Sequence, residues 1–292
     1  ISQNLYDKLK TYKNIQAYYK SKKVCDLKIK SFYTLNKIRV GESLFETKNK
    51  KHPGLTQFLN SGDYFIQCKI KNFNHKIMKN LNFTYPSKMK SIFLKRRLKT
   101  VVGFHTRNVP HRAHEWIHQY GLKKCNGLFI HPLIGQYKKK EYKEKAIIKG
   151  NLKLIKSIYK NKNVIFGLLN SYPRYAGPRE ALFHALIRKN YGCTHFMIGR
   201  DHAGVGKYYT KYESQKLCIK HEKYLKVKII SFKEPYLCTS CKKVVNKCNH
   251  KKNNKVFISG TKIRNLIFSG KKIPDELMRK QISKILSKSS II

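Results

Sequence analysis

The chain has 292 residues, 41% of them hydrophobic, and a formal net charge of +49. That length buries a real core in two or three domains, and the absence of any apolar run near 20 residues excludes a membrane-spanning helix. So large a positive charge invites a nucleic-acid reading, but it is carried mostly by Lys, spread along the whole chain, and accompanied by abundant Ile, Asn, Tyr and Phe. This is the signature of an A/T-rich coding sequence, so we expect nonspecific sticking to polyanions at low salt rather than specific nucleic-acid binding. The opening ISQNLYDKLK carries charge where a signal peptide needs an apolar segment, and it starts at Ile1 rather than Met. Eight cysteines without a secretory signal point to a reducing, cytoplasmic setting, where clustered thiols mean metal or catalysis.

Residues 1–92 read as a small β-rich domain. Ile38–Val40 and Tyr64–Ile70 look like strands, Lys8–Lys20 like a helix, and His52-Pro53-Gly54 like a turn. From Leu98 strands alternate with helices, the pattern of a parallel sheet with crossovers. Val101–Phe104 is an apolar strand, and a polar turn, His105–Asn108, follows it. A helix then begins near Pro110, a residue favoured at the first helical position. Further expected elements are a strand at Leu128–Pro132, a helix at Lys143–Tyr159, a strand at Asn163–Leu169, a helix at Arg179–Asn190 and a strand at His195–Ile198. Ligands bind beyond the carboxyl ends of the strands in such sheets. Four polar clusters fall there: His105–Asn108, His131–Gly135, Ser171–Pro178 and Gly199–Gly206.

The turn carries the chemistry. Strand, polar turn and helix aim backbone N–H groups and a positive dipole end at an anion. His105, Arg107, His111 and His114 add to that, and the three-residue spacing of the last two puts them on one helical face. Two histidines and an arginine at one helix mouth favour a polyanion site over a buried helix with satisfied core histidines. Farther on, Cys238, Cys241, Cys248 and His250 supply four soft or borderline donors within thirteen residues. A closed tetrahedral zinc site needs such a set; a redox CxxC pair and accidental cysteines are the alternatives. The other cysteines show no ligand spacing and read as ordinary buried thiols.

Three stretches, FHTRNVPHRAHE, RYAGPREALFHALIRKNYGCTHFMIGRDHAGVG and ISGTKIRNLIFSGKKIP, together resemble the ATP sulfurylase (sulfate adenylyltransferase) family. The likeness is continuous from about Val101 onward, and His52-Pro53-Gly54 extends it weakly upstream. It implies an HxxH-type nucleotidyltransferase with a Rossmann-like parallel sheet at 93–230. A β-rich, PUA-like domain would occupy 1–92 and a small zinc-bearing part with the SGT motif 231–292, with no fused kinase domain. In the family, sulfate attacks the α-phosphorus of ATP to give adenosine 5′-phosphosulfate and pyrophosphate. The resemblance implies that Arg107 and His105 hold sulfate with the backbone N–H of Ala203. It gives Thr106 and Asn108 contacts to phosphate, and His111 and His114 the charge of the departing pyrophosphate. Gly199, Arg200, Asp201 and His202 would form the nucleotide loop, with Gly204 and Gly206 letting its backbone approach closely. Ser259, Thr261 and Arg264 would form a second phosphate-side motif; a helix N-cap at Ser259 or Thr261 is compatible with that role. It also implies Mg²⁺ with ATP, structural Zn²⁺, and a homo-oligomer, most simply a dimer. Two residues depart from the pattern: His105 stands where the family has Gln, and Pro173 where it has Met. Rival readings are another HxxH adenylyltransferase with a different acceptor, a decayed homologue, and a basic zinc-ribbon nucleic-acid-binding protein.

Overall fold

The structure is a computed structural model that describes residues 1–74, 84–135 and 141–291. The N-terminal region mixes helices with an antiparallel sheet. Helix α1 (Gln3–Leu9) leads into strands β1 (Asn14–Tyr19) and β2 (Lys22–Thr34), and helices α2 (Lys37–Phe45) and α3 (Pro53–Leu59) precede β3 (Tyr64–Lys71). The three strands pair in the order β1-β2-β3. The expected strand at Tyr64–Ile70 is present. The expected helix at Lys8–Lys20 is instead the end of α1 and a strand, because alternating exposure along NIQAYY suits pairing with β2. Ile38–Val40 lies in α2, whose N-cap Asn36 accepts from Arg39 N–H at 3.0 Å. His52-Pro53-Gly54 opens α3: His52 Nδ1 accepts from Leu55 N–H at 3.1 Å and Pro53 takes the first turn.

Helix α4 (Pro86–Lys95) packs Met89 and Phe93 against Val101, Phe129 and Ile165 of the following sheet, so the boundary expected at 92/93 falls inside a helix. The sheet holds β4 (Val101–Thr106), β5 (Gly127–Ile134), β6 (Val164–Phe166), β7 (Leu169–Asn170), β8 (His195–Ile198) and β9 (Lys228–Ser231). Its order is β6-β5-β4-β8-β9, with β7 beside β5, and every pairing is parallel. Nearly unbroken burial of VVGFHT and GLFIHPLI fits strands covered on both faces. Crossovers run through α5 (Arg112–Leu122), α6 (Glu144–Ile158), α7 (Gly177–Asn190) and α8 (Glu213–Lys220), with a short α9 (Glu222–Leu225) before β9. Strand order reverses between β4 and β8, and the crevice at that switch point is where a doubly wound sheet binds its ligand. The strand expected at Asn163–Leu169 is split into β6 and β7, with Gly167 N–H donating to Ile130 O at 3.1 Å in the gap.

The C-terminal part begins with a small sheet, β10 (Tyr236–Cys238), β11 (Lys243–Val245) and β12 (Lys255–Phe257), followed by α10 (Gly260–Phe268) and α11 (Lys280–Ser283). Its Ile263, Ile267, Met278 and Ile282 share one buried core with Val102, Ile130 and Ile147 of the sheet domain. Glu115 of α5 fastens the two by accepting from Arg279 Nε at 2.8 Å. Among the described residues no helix is long and apolar enough to cross a membrane.

Candidate active site

Helix α5 starts two residues later than Pro110 suggests, with His111 as an N-cap in extended backbone and no side-chain cap bond. That leaves the His111 ring free to lie on His114, ring centroids 3.8 Å apart and planes 19° apart. Nδ1 of each ring is buried without a partner. Burial holds His111 at about 3 and drives His114 well below the usual imidazole range, with His111 and His118 adding to the latter. Both rings are therefore neutral near pH 7, each with a hydrogen-bonding nitrogen unspent. Of the helix's first-turn donors, Arg112 N–H is taken by Leu277 O at 2.9 Å.

The turn after β4 is braced from several sides. Thr106 Oγ1 accepts from Asn108 N–H at 3.0 Å. Arg107 lies against Tyr175, 5.4 Å from its ring centre, and pairs with Glu141 at 3.1 Å. Asn108 Oδ1 accepts from Arg264 at 2.7 Å, and Arg264 also donates to Thr261 Oγ1 at 3.1 Å. Gly260 makes this approach possible, since a Cβ there would lie 2.4 Å from Asn108 Oδ1. Ser259 caps α10 by accepting from Lys262 N–H at 3.2 Å. The ISGTKIR segment thus reaches the turn through Asn108, and Ser259 itself acts as a cap.

A cavity of about 240 Å³ opens at the switch point. His105, Thr106, Arg107, Asn108 and His114 line it from one side, and Gly199, Asp201, His202, Ala203 and Gly204 from the other. Arg200 is not part of that lining; its guanidinium pairs with Asp201 and Glu234, which draw it outward. Ala203 and Gly206 adopt left-handed backbone, φ 59° and 55°. Gly204 has no such φ, and a Cβ there would meet only ordinary contacts at 3.7 Å. His131 does not face the cavity: its ring packs on Phe129 and Tyr191, each 4.4 Å away.

The Ser171–Pro178 loop closes one wall. Buried Glu180 of α7 accepts from Arg174 N–H at 2.9 Å and Ala176 N–H at 3.1 Å. Pro173 lines the cavity, and its missing N–H costs neither bond. Tyr209 OH ties the same loop to the N-terminal region, donating within 3.0 Å of Tyr175 O and Phe45 O.

Sequence reasoning missed a row on α7. Glu180, His184 and Arg188, each four residues apart, are buried, the first two in the cavity wall and Arg188 behind it, while Phe183 and Leu186 are 40% and 41% exposed. Their signal was legible: polar groups at i, i+4 and i+8 share a face with Ala181 and Ala185. His184 stacks on His105, centroids 4.1 Å apart, and its Nδ1 is 3.0 Å from His202 Nε2.

At the cysteine cluster the donors converge. His250 Nδ1 lies 3.5, 3.3 and 3.7 Å from the sulfurs of Cys238, Cys241 and Cys248, and Cys238 and Cys248 Sγ are 3.6 Å apart. Tetrahedral zinc with bonds near 2.0–2.3 Å spaces its ligand atoms about 3.5–3.8 Å apart, so this set fits the ion. Of the other cysteines, Cys25, Cys125, Cys193 and Cys218 are buried, and Cys68 is half-buried.

The family model described as ATP-sulfurylase matches residues 81–289. The chain belongs to this family. Among its relatives, the sulfate adenylyltransferase of Carboxydothermus hydrogenoformans is 38% identical over 260 residues, covering 87% of this chain and 68% of that protein. The sulfate adenylyltransferase of Pyrococcus abyssi is 36% identical over 275 residues, 93% of this chain and 72% of its own. A solved structure titled hexameric APS kinase from Thiobacillus denitrificans superposes with a TM-score of 0.65 at 13% identity. That match covers 92% of this chain and 48% of the other, and at such identity it speaks to the fold alone.

Proposed function

We propose that the chain is a sulfate adenylyltransferase, converting ATP and sulfate to adenosine 5′-phosphosulfate and pyrophosphate, reversibly and without a covalent enzyme intermediate. The observation that carries this reading is the meeting of the Thr106–Asn108 turn, His114 with His111 stacked on it, and the Gly199–Gly204 stretch at the switch point of an ATP-sulfurylase-family sheet.

A sulfate oxygen attacks the α-phosphorus in line, the bond to the bridging oxygen of the β-phosphate breaks, and pyrophosphate leaves with that oxygen. No proton needs to move, so the protein's contribution is positioning and charge stabilisation. Arg107 presents a planar, permanently charged fork to the sulfate dianion, with His105 and the Ala203 N–H beside it. Thr106 and Asn108 contact the phosphate under attack, Asn108 being held by Arg264. His111 and His114 stabilise the charge on the departing pyrophosphate, His114 from the cavity wall and His111 from its stacked position against that ring. Gly199, Asp201 and His202 form the nucleotide loop, and Arg200 shapes it through its ion pairs. ATP enters as its Mg²⁺ complex, the ion held mainly by phosphate oxygens and water. Cys238, Cys241, Cys248 and His250 hold a structural Zn²⁺ that ties the loop between β11 and β12. The N-terminal region takes the place of the PUA-like domain, the protein works in the cytoplasm, and copies associate as a homodimer.

The test uses the favourable direction: adenosine 5′-phosphosulfate, pyrophosphate and Mg²⁺ are mixed with the protein and ATP is followed. The natural chain is expected to make ATP, and Arg107→Ala to lower kcat/KM by about 10²-fold or more. Silence from the folded, zinc-loaded natural chain would sink the reading. Pyrophosphate release with an acceptor other than sulfate would move it to another adenylyltransferase.

A further inference from the structure

His105, His184 and His202 place three ring nitrogens within 4.8 Å of one another at the cavity wall. A cation site is the first thought, but the rings of His105 and His184 are stacked, with planes only 26° apart. Imidazole lone pairs lie in the ring plane, so two stacked rings cannot aim theirs at one ion. The bond that decides the chemistry comes from beneath. Arg188, wholly buried, donates from Nη2 to His105 Nδ1 at 2.7 Å and to the backbone oxygen of His131 at 3.0 Å.

An arginine has no acceptor. His105 Nδ1 must therefore be unprotonated, and in the neutral ring the proton sits on Nε2, which has no acceptor among the described residues. Arg188 keeps its charge at neutral pH, since burial lowers it only to about 10. Protonating His105 would break the bond and set two cations against each other. Burial first, then the neighbouring His184, Arg188, His202 and Arg107, holds His105 well below its ordinary range. Gly103, two residues upstream on β4, makes room for the arginine: a Cβ there would lie 2.6 Å from Arg188 Cγ.

We propose that Arg188 is a positioning residue that locks His105 as a neutral Nε2–H donor facing the substrate oxyanion. The Gln-to-His departure is then a change of scaffold with the donor kept: a ring N–H replaces an amide N–H. The inference rests on the proposed function for the identity of the anion, but the tautomer is measurable without any activity.

Two-bond ¹H–¹⁵N spectra of the labelled natural chain, with His105 assigned by comparison with His105→Gln, read the tautomer directly. The proton is expected on Nε2 alone, unchanged from about pH 5.5 to 8. A proton on Nδ1, or titration near the ordinary imidazole value, would overturn the proposal. In Arg188→Met the KM for sulfate is expected to rise about tenfold at pH 8 with a smaller change in kcat. In the same variant the spectra should show part of His105 with its proton on Nδ1, because burial still keeps the ring neutral while nothing then fixes its tautomer. Arg188→Lys, which restores a cationic donor, should recover part of the loss. Gly103→Ala, which crowds Arg188 from the strand side, should reproduce the mixed tautomer if Arg188→Met does not fold. A merely structural arginine predicts a loss of kcat with an unaltered tautomer in the variant, and that result would refute the assignment. Should the chain make no ATP, the proposed function fails while the spectra still report on His105.

Discussion

His118 sits one turn beyond His114 on α5, wholly buried, with Nδ1 3.2 Å from Tyr159 OH. Burial holds both His118 and His111 at about 3. In the unfolded chain each binds a proton below about 6.5. Above that pH neither state is charged and folding is unaffected; below it the unfolded state takes up protons that the folded one refuses. Stability is thus full above about pH 6.5 and falls as the pH drops toward 3, by roughly 2 kcal/mol per histidine at pH 5. Calorimetry across pH 4 to 8 should show the melting temperature decline on the acid side, less steeply in His118→Gln. A flat acid limb in the natural chain would contradict the neutral assignment. The same neutrality bears on function, because a buried imidazolium pair 3.8 Å apart would be repulsive with no substrate bound.

Helix α7 shows how an element can serve a site at the expense of its own amphipathic pattern. It buries Glu180, His184 and Arg188 and leaves Phe183 and Leu186 half out in solvent, with Arg174 laid 4.7 Å over the Phe183 ring. The loop leading into it also meets the N-terminal region, where Gly54 of α3 approaches Arg174 O so closely that a Cβ would come within 2.1 Å. Backbone cannot yield as a side-chain tip can, so Gly54→Ala is expected to cost about 1–3 kcal/mol and to displace the Pro173–Tyr175 wall. A lowered melting temperature with a raised KM for sulfate would bear this out. Helix α10 offers a cleaner separation. Gly260→Ala should push Asn108 off its Arg264 bond and reduce kcat more than about tenfold while barely moving the melting temperature. Equal activity would mean that this docking is incidental.

At the scale of the whole chain, charge and metal separate two readings. With a net charge of +49 the protein should adhere to heparin or DNA at low salt and release as salt rises. Cys238→Ser should leave that adhesion unchanged while abolishing one zinc per chain and lowering the melting temperature. Atomic absorption and a salt series check both. Binding that depended on the cysteine cluster would instead revive a zinc-ribbon nucleic-acid module. A metal held by the cluster would have structural value, because Lys251–Lys255 offers no apolar residue to hold its own loop. That loop leads directly to Ser259 and α10, so losing the ion is also expected to weaken the contact with Asn108.

The sequence by itself determined the alternating strands and helices of the sheet, the TRN turn with its two histidines, and the Cys3His donor set. Each is a local pattern: an apolar run, a fixed spacing, four donors within thirteen residues. Its readings went astray where nonlocal contacts overrode local preference, as at Lys8–Lys20, where pairing with β2 outweighs any helical tendency, and at Pro110, left outside a helix that begins at Arg112. Tertiary structure alone decided the rest. It set Arg188 under His105 across 83 residues, brought Arg264 to Asn108 across 156, and drew Arg200 away from the cavity to Glu234. Hydrogen bonds of that kind depend on which strand ends the fold brings together, and periodicity along the chain carries no record of it.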